Sequence, residues 1–317
     1  MILVLVLYFL FASTFVLAKE ALLYAYPSFL IGVRMLIGGT ILVSYCRSRN
    51  TYKGLINKQV LLLFSQVILF HIFLAYTLEF WALQYVTPAK AALLYNLSPF
   101  ATALLSFLLL NERLSSKQWL GLLVGFMSML PILMAYVPLE DAVGHIGFFS
   151  WPELVLLGSV LCAAYGWLVV KKLVINAHYS PLMVNGVGMI GGGLLALCWS
   201  FITHGGAALR EGHLDWVGKL LEPLVGLQGA IIGGWLFYTL LLVLIANIIC
   251  YNLYAHLLRS YSATLLSFAG FTCPLWAAIL SWVFQGQPVG LAFGASMIGV
   301  IIGLYLFYRD ELRLKSV

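Results

Sequence analysis

The sequence predicts an all-α polytopic membrane protein, with ten transmembrane helices arranged as two inverted five-helix repeats. Three observations predict it. Of 317 residues, 63% are hydrophobic and only 9% are charged, against about a quarter charged in a soluble domain. The mean hydropathy is +1.02. The apolar residues fall in continuous runs of membrane-spanning length, not in the alternation of a β-barrel. The chain also repeats itself. A soluble fold of this size cannot hide so much apolar surface, which excludes a secreted enzyme, a cytosolic domain and a disulfide scaffold.

The runs follow in order. The first, residues 2–18, has no basic segment before it and is long enough to span, so it reads as a helix rather than a cleaved leader. Runs near 27–45, 60–84, 88–110 and 117–136 complete the first repeat, residues 1–136. Pro138, Glu140 and Asp141 mark an outward-facing linker over 137–151. Runs near 152–170, 180–203, 234–257, 262–284 and 288–308 make the second repeat, residues 152–317, which ends in a cytoplasmic tail. The connection 204–233 begins polar and turns apolar at Leu220, predicting an interfacial or re-entrant helix before the eighth span.

Orientation follows from the basic residues. One side carries Arg47, Arg49, Lys53, Lys58, Arg113, Lys117, Lys171, Lys172, Arg259, Arg309, Arg313 and Lys315; the other carries Lys19, Lys90, Arg210 and Lys219. Twelve against four puts both termini in the cytoplasm of a cell with its inner membrane as the site. The net charge of +6 is thereby explained by topology, so no nucleic-acid partner is expected.

The repeat is visible in two places. Residues 27–39, PSFLIGVRMLIGG, match 181–193, PLMVNGVGMIGGG, with six of thirteen positions identical, among them Pro27/Pro181, Gly32/Gly186 and Gly39/Gly193. Residues 76–110 match 251–285 at one offset, aligning Tyr76/Tyr251 and Pro99/Pro274. An odd number of spans per copy forces opposite orientations. Inverted repeats of this kind build secondary transporters with a central site and alternating access.

The stretch ALQYVTPAKAALLYNLSPFATALLSFLLLNERLSSKQWLG, residues 82–121, resembles the EamA domain of the drug/metabolite transporter superfamily. Tyr85, Ala89, Pro99, Glu112-Arg113 and Gly121/Gly125 carry the likeness, and FASTFVLAK (11–19) adds to it. The second half departs from the pattern, with Gln287-Pro288 in place of Glu112-Arg113 and no equivalent of Arg34. The resemblance implies ten helices and transport of small metabolites, commonly amino acids or their derivatives. Within the family, S-adenosylmethionine is an alternative substrate. A lipid-linked sugar flippase is a reading from another class, and a non-transporting receptor a third.

Ionisable residues inside spans default to functional candidates. Arg34 lies seven residues beyond Pro27, roughly 10 Å into its helix. Its guanidinium suits a carboxylate or phosphate, and an ion pair with Glu79 is the structural alternative. Glu79 suits an ammonium or sulfonium group, or a proton; His71 shares its stripe at one-turn steps and is the second coupling candidate. Lys90 enters the fourth helix, and Lys19 ends the first as an interfacial anchor. Tyr76, Trp81, Tyr95, Tyr165 and Trp167 are candidates for an aromatic wall, which holds rings and onium groups by stacking and cation–π contact. Asn96 is a candidate polar contact, while Asn185, Asn247 and Asn252 suit interhelical hydrogen bonds. Pro99 and Pro274 each remove a backbone hydrogen bond one turn upstream, around Tyr95-Asn96 and Gly270-Phe271, which suits a hinge or gate. The pairs Gly121/Gly125, Gly290/Gly294 and Gly299/Gly303 suit helix packing or a dimer face.

Enzyme chemistry is absent from the motifs: there is no GxSxG, HExxH, P-loop or dinucleotide fingerprint. The five cysteines are scattered without a CxxC, so no metal or cofactor is expected. The expected partners are the lipid bilayer and a small-molecule substrate, with the protein a monomer or homodimer.

Overall fold

The structure, a computed structural model, describes residues 2–49, 57–86, 91, 94–111, 114–134, 145–146, 149–205, 229–273, 275–276, 279 and 291–315. These residues are helical throughout, apart from loops and turns and one short antiparallel ladder in which β1 (His145–Ile146) pairs with β2 (Phe149–Ser150). The helices are α1 (Ile2–Ala21), α2 (Pro27–Ser48), α3 (Lys58–Leu83), α4 (Ser98–Leu110) and α5 (Ser116–Met134). They continue with α6 (Trp151–Ile175), α7 (Pro181–Ser200), α8 (Gly229–Leu242 prolonged by Val243–Cys250 and Tyr251–Leu257), α9 (Ala263–Ala269 prolonged by Gly270–Thr272) and α10 (Leu291–Lys315). Among the described residues, six helices are long and apolar enough to cross a membrane: α1, α2, α3, α6, α7 and α8. Their outward faces carry large apolar side chains such as Leu61, Leu195 and Leu244, which lipid tolerates and water does not. The chain is a multi-pass membrane protein.

Local chemistry sets the helix ends. Pro27 and Pro181 open α2 and α7 at the position where a missing N–H costs nothing. Ser150 and Glu153 form a reciprocal capping box on α6, and Asn57, Ser180 and Ser262 cap α3, α7 and α9. Asn111, at φ 54°, ends α4 in the left-handed conformation that asparagine tolerates.

Two departures from regular helix stand out. The sequence predicts one continuous helix over 60–84, but α3 widens into a π-helix at Val67–Leu74, and α8 does the same at Val243–Cys250. Widened turns loosen carbonyls that lipid cannot satisfy. Side chains serve them instead: Ser159 Oγ donates to the Ala75 oxygen at 2.7 Å, and Asn252 Nδ2 donates to the Ile248 oxygen at 2.7 Å. The fourth span, expected over 88–110, is interrupted by a turn at Asn96-Leu97, just before Pro99 at the second position of α4. A 3-10 turn at Gly270–Thr272 likewise precedes Pro274. Pro274 itself, Lys90 and residues 206–228 of the 204–233 connection lie outside the described residues, while residues 229–233 belong to α8, which therefore begins earlier than the expected 234.

Two helix pairs run in close contact, α2 with α7 and α5 with α10. Glycines make the approach possible. A Cβ on Gly39 would stand 2.8 Å from the Gly186 oxygen, and one on Gly193 would stand 3.1 Å from the Gly32 oxygen. The contacts are reciprocal with respect to the sequence match, which pairs Gly32 with Gly186 and Gly39 with Gly193: Gly39 meets Gly186, and Gly193 meets Gly32. On α5 and α10, a Cβ on Gly121 would meet the Gly303 oxygen at 2.7 Å, and one on Gly303 would meet the Gly121 oxygen at 2.6 Å. Gly121 and Gly303 are thus spent on packing within one chain, the helix-packing reading of their glycine pairs. Asparagines tie the centre together: Asn185 Nδ2 donates to Asn252 Oδ1 at 2.9 Å, and Asn247 Nδ2 to the Arg34 oxygen at 3.3 Å.

The seam predicts a contrast. Ala favours helix over Gly by about 1 kcal/mol, but forcing a methyl against backbone costs roughly 1–3 kcal/mol. Gly39→Ala should therefore lower the melting temperature in detergent. Gly158→Ala, where the nearest atom is 3.6 Å away, should leave it unchanged or raise it.

Candidate functional site

The site begins on α1, which lays Tyr8, Phe11, Phe15 and Ala18 along one stripe at three- and four-residue spacings. This stripe faces Arg34 of α2, the end of α3, Trp167 of α6, Tyr251 and Tyr254 of α8, and Ser267 and Gly270 of α9. Tyr95, Ser98 and Thr102 close the remaining side. Together they enclose a cavity of about 130 Å³.

Arg34 is only 1% exposed. Its guanidinium carbon sits 4.4 Å from the Tyr76 ring centroid and 4.6 Å from that of Phe80. Nε and Nη2 have no hydrogen-bond partner among the described residues. Burying an unpaired charge costs several kcal/mol even after relaxation, while a desolvated cation–π contact returns about 2 kcal/mol. The aromatic faces soften the cost without supplying the missing anion.

Glu79 is the other charge on the cavity wall. Tyr95 donates its hydroxyl to Glu79 Oε2 at 2.7 Å. The ion pair with Arg34 considered from the sequence does not form: Glu79 takes its hydrogen bond from Tyr95, and Arg34 takes the faces of two rings. Two opposite charges therefore share one chamber without a direct ion pair between them. Phe15 packs edge-on against Tyr95 at 5.5 Å between centroids.

His71 also reaches the cavity, from within the π segment of α3. Its ring stands edge-on to Trp167 at 4.3 Å and tilted to Tyr251 at 5.2 Å. Neither ring nitrogen has a hydrogen-bond partner among the described residues. Trp167 stacks on Tyr254 at 3.9 Å, and Tyr76 stacks on Tyr251, its match in the repeat, at 6.0 Å.

Arg34, His71, Tyr76, Glu79, Tyr95 and Trp167 are therefore brought together on one cavity wall. Trp81, Tyr165 and Asn96 are not. Trp81 packs on Tyr85, and Tyr165 on Phe70. Each lies two residues from a wall residue, about 200° around the helix, so its side chain points away. Asn96 is buried in the turn before α4, off the cavity, with Nδ2 unpartnered among the described residues. Lys19 lies beside the site as a cap: its Nζ donates to the Leu83 oxygen at 2.5 Å and the Val86 oxygen at 3.1 Å, where α3 ends. Sequence reasoning missed the α1 stripe, the hydroxyls of Ser98, Thr102 and Ser267, and the pair Tyr251 and Tyr254. Tyr251 was recoverable, because the repeat aligns it with Tyr76.

A helical membrane protein with unneutralised charges around a central cavity has the architecture of a solute carrier. The model of the EamA-like transporter family matches residues 1–134 and 150–309, and the chain belongs to that family. It is a transporter. A Chlamydia muridarum protein named S-adenosylmethionine/S-adenosylhomocysteine transporter is 31% identical over 309 residues, covering 96% of this chain and 90% of its own. A Chlamydia trachomatis serovar L2 protein of the same name is 32% identical over 310 residues, covering 96% and 88%. An uncharacterized transporter of Bacillus subtilis, YvbV, is 24% identical, covering 92% and 85%. A solved crystal structure superposes with a TM-score of 0.69 at 20% identity, covering 98% of this chain and 97% of that one, which establishes a shared fold.

Behind Glu79 runs a short polar chain. The Tyr95 hydroxyl lies 3.0 Å from Ser159 Oγ, and Ser159 in turn serves the Ala75 oxygen. Ser159 is fully buried. Ser159→Ala removes two hydrogen bonds, to the Ala75 oxygen and the Tyr95 hydroxyl, and should cost roughly 1–3 kcal/mol, read as a lower melting temperature in detergent.

Proposed function

We propose that this transporter carries S-adenosylmethionine or S-adenosylhomocysteine across the bacterial inner membrane by alternating access. One observation carries the reading: Arg34 and Glu79 face one aromatic cavity unpaired with each other. An α-amino acid supplies the missing charges, its carboxylate to the Arg34 fork and its ammonium to Glu79. Free amino acids, the substrates favoured by the sequence, satisfy that much. The adenosyl compounds also use the rings beyond, where Trp167, Tyr251 and Tyr254 offer stacking faces and cation–π contact to a sulfonium. The names of the Chlamydia relatives support the larger substrate.

The proposal includes ten spans in two inverted halves, with both termini cytoplasmic and the site between the halves. The reciprocal glycine contacts of α2 with α7 and the Tyr76–Tyr251 stack support it, as do the two separate stretches matched by the family model. The helix breaks before Pro99 and Pro274 are the hinges on which the halves rock.

In proteoliposomes, Arg34→Ala should abolish uptake of labelled S-adenosylmethionine while the protein remains folded in detergent. Arg34→Lys should also transport poorly, because a point charge does not replace the bidentate fork. S-adenosylmethionine and S-adenosylhomocysteine should each raise the melting temperature of the purified protein. Normal uptake by Arg34→Ala, or a shift produced by amino acids but by neither adenosyl compound, would reject the reading.

A further inference from the structure

The cavity has two chemically different ends. From Tyr8 to Ala18, the α1 stripe spans ten residues, about 15 Å. The Ala18 end holds the charges: Ala18 belongs to the same apolar cluster as Phe80 and Tyr251, against which Tyr76 and Tyr95 pack. Among the described residues, the Tyr8 end carries no charge on its wall. Tyr8 belongs with Tyr254 and Phe268 to a second cluster, its hydroxyl donates to the Leu266 oxygen, and Gly270 lies against its ring. Trp167 packs against both clusters and so stands at the junction.

The Tyr8 end is nonetheless polar. Ser98 Oγ lies 2.9 Å from Ser267 Oγ, and Thr102 Oγ1 donates to Ser267 Oγ at 3.3 Å. Thr102 and Ser267 are buried, at 2% and 5% exposure, yet all three residues line the cavity. Three hydroxyls bring three hydrogens, and their two mutual contacts use two of them. One donor and several lone pairs remain for a ligand. Uncharged donors and acceptors beside a stacked indole fit a sugar and a purine, not an ion. A free amino acid held by Arg34 and Glu79 leaves this end empty.

We propose that the Tyr8 end is a nucleoside subsite. Ser98, Thr102 and Ser267 read the polar atoms of the sugar and base, and Trp167, backed by Tyr254, supplies the stacking face. The subsite rests on the function proposed above and adds how the adenosyl compound is told from a free amino acid: its two parts are read at opposite ends.

The test is binding of labelled S-adenosylhomocysteine to the full-length protein in detergent, with adenosine and methionine as competitors. Thr102→Val and Ser267→Ala should each weaken binding roughly three- to tenfold, the worth of a neutral hydrogen bond. Adenosine competition should weaken in step while methionine competition holds, and Thr102→Ser should restore the wild-type pattern. Arg34→Met should do the reverse, sparing adenosine and losing methionine. If the hydroxyl variants leave adenosine competition intact, weaken both competitors alike, or are not rescued by Thr102→Ser, the subsite is wrong while the functional reading stands. Wild-type protein from which adenosine displaces nothing also refutes the subsite alone. Wild-type protein that binds no S-adenosylhomocysteine refutes the functional reading, and the subsite with it.

Discussion

A cation buried in a membrane protein with no ion pair among the described residues is the constraint around which this structure is arranged. Arg34 is nearly inaccessible, and two of its nitrogens have no hydrogen-bond partner among the described residues. Everything near it limits the cost without removing it. Tyr76 and Phe80, one helical turn apart on α3, offer their negative faces. Tyr95 holds Glu79 by a hydrogen bond, and the carboxylate does not collapse onto the guanidinium. Had the two charges met, the site would be neutral and content. Kept apart, they leave a charge deficit on each wall, which under the function proposed above the carboxylate and ammonium of the substrate repair.

The scaffold keeps these groups in place through close backbone contact and satisfied carbonyls. Glycines let α2 and α7 approach until side chains would clash with backbone. The π segments of α3 and α8 put His71 and Ala246 on the cavity wall, and Ser159 and Asn252 serve the carbonyls around them. The two stretches matched by the family model, residues 1–134 and 150–309, differ in what they supply. In the sequence match, Arg34 faces Gly188 and Glu79 faces Tyr254. The first stretch supplies both charges and six of the Phe and Tyr rings, the second supplies Trp167, Tyr251 and Tyr254, and Tyr76 stacks on Tyr251.

Much of this was legible in the sequence. Hydropathy located the six helices that are long and apolar enough to cross a membrane, because lipid demands continuous apolar helix. Scarcity of charge singled out Arg34 and Glu79, since so few ionisable residues were left once topology had taken its share. Other features were not legible. A π segment has no sequence signature in Val67–Leu74, because it differs from α-helix by one inserted residue and depends on what Ser159 does from another helix. The choice between Tyr165 and Trp167 depends on the rotation of α6, which an all-round apolar helix does not reveal. Ser98, Thr102 and Ser267 read as ordinary small residues until folding brings them together.

The most direct measurement is a double difference in affinity, by calorimetry on the purified protein. Wild type and Arg34→Met are each titrated with S-adenosylhomocysteine and with its decarboxylated analogue. A buried charge pair that loses one partner costs about 2–5 kcal/mol, so the wild type should prefer the carboxylate by roughly thirtyfold or more, and Arg34→Met should show no preference. An equal preference in both proteins would contradict the account, because the carboxylate would then be held elsewhere and the unpaired arginine would not be the anchor of the site.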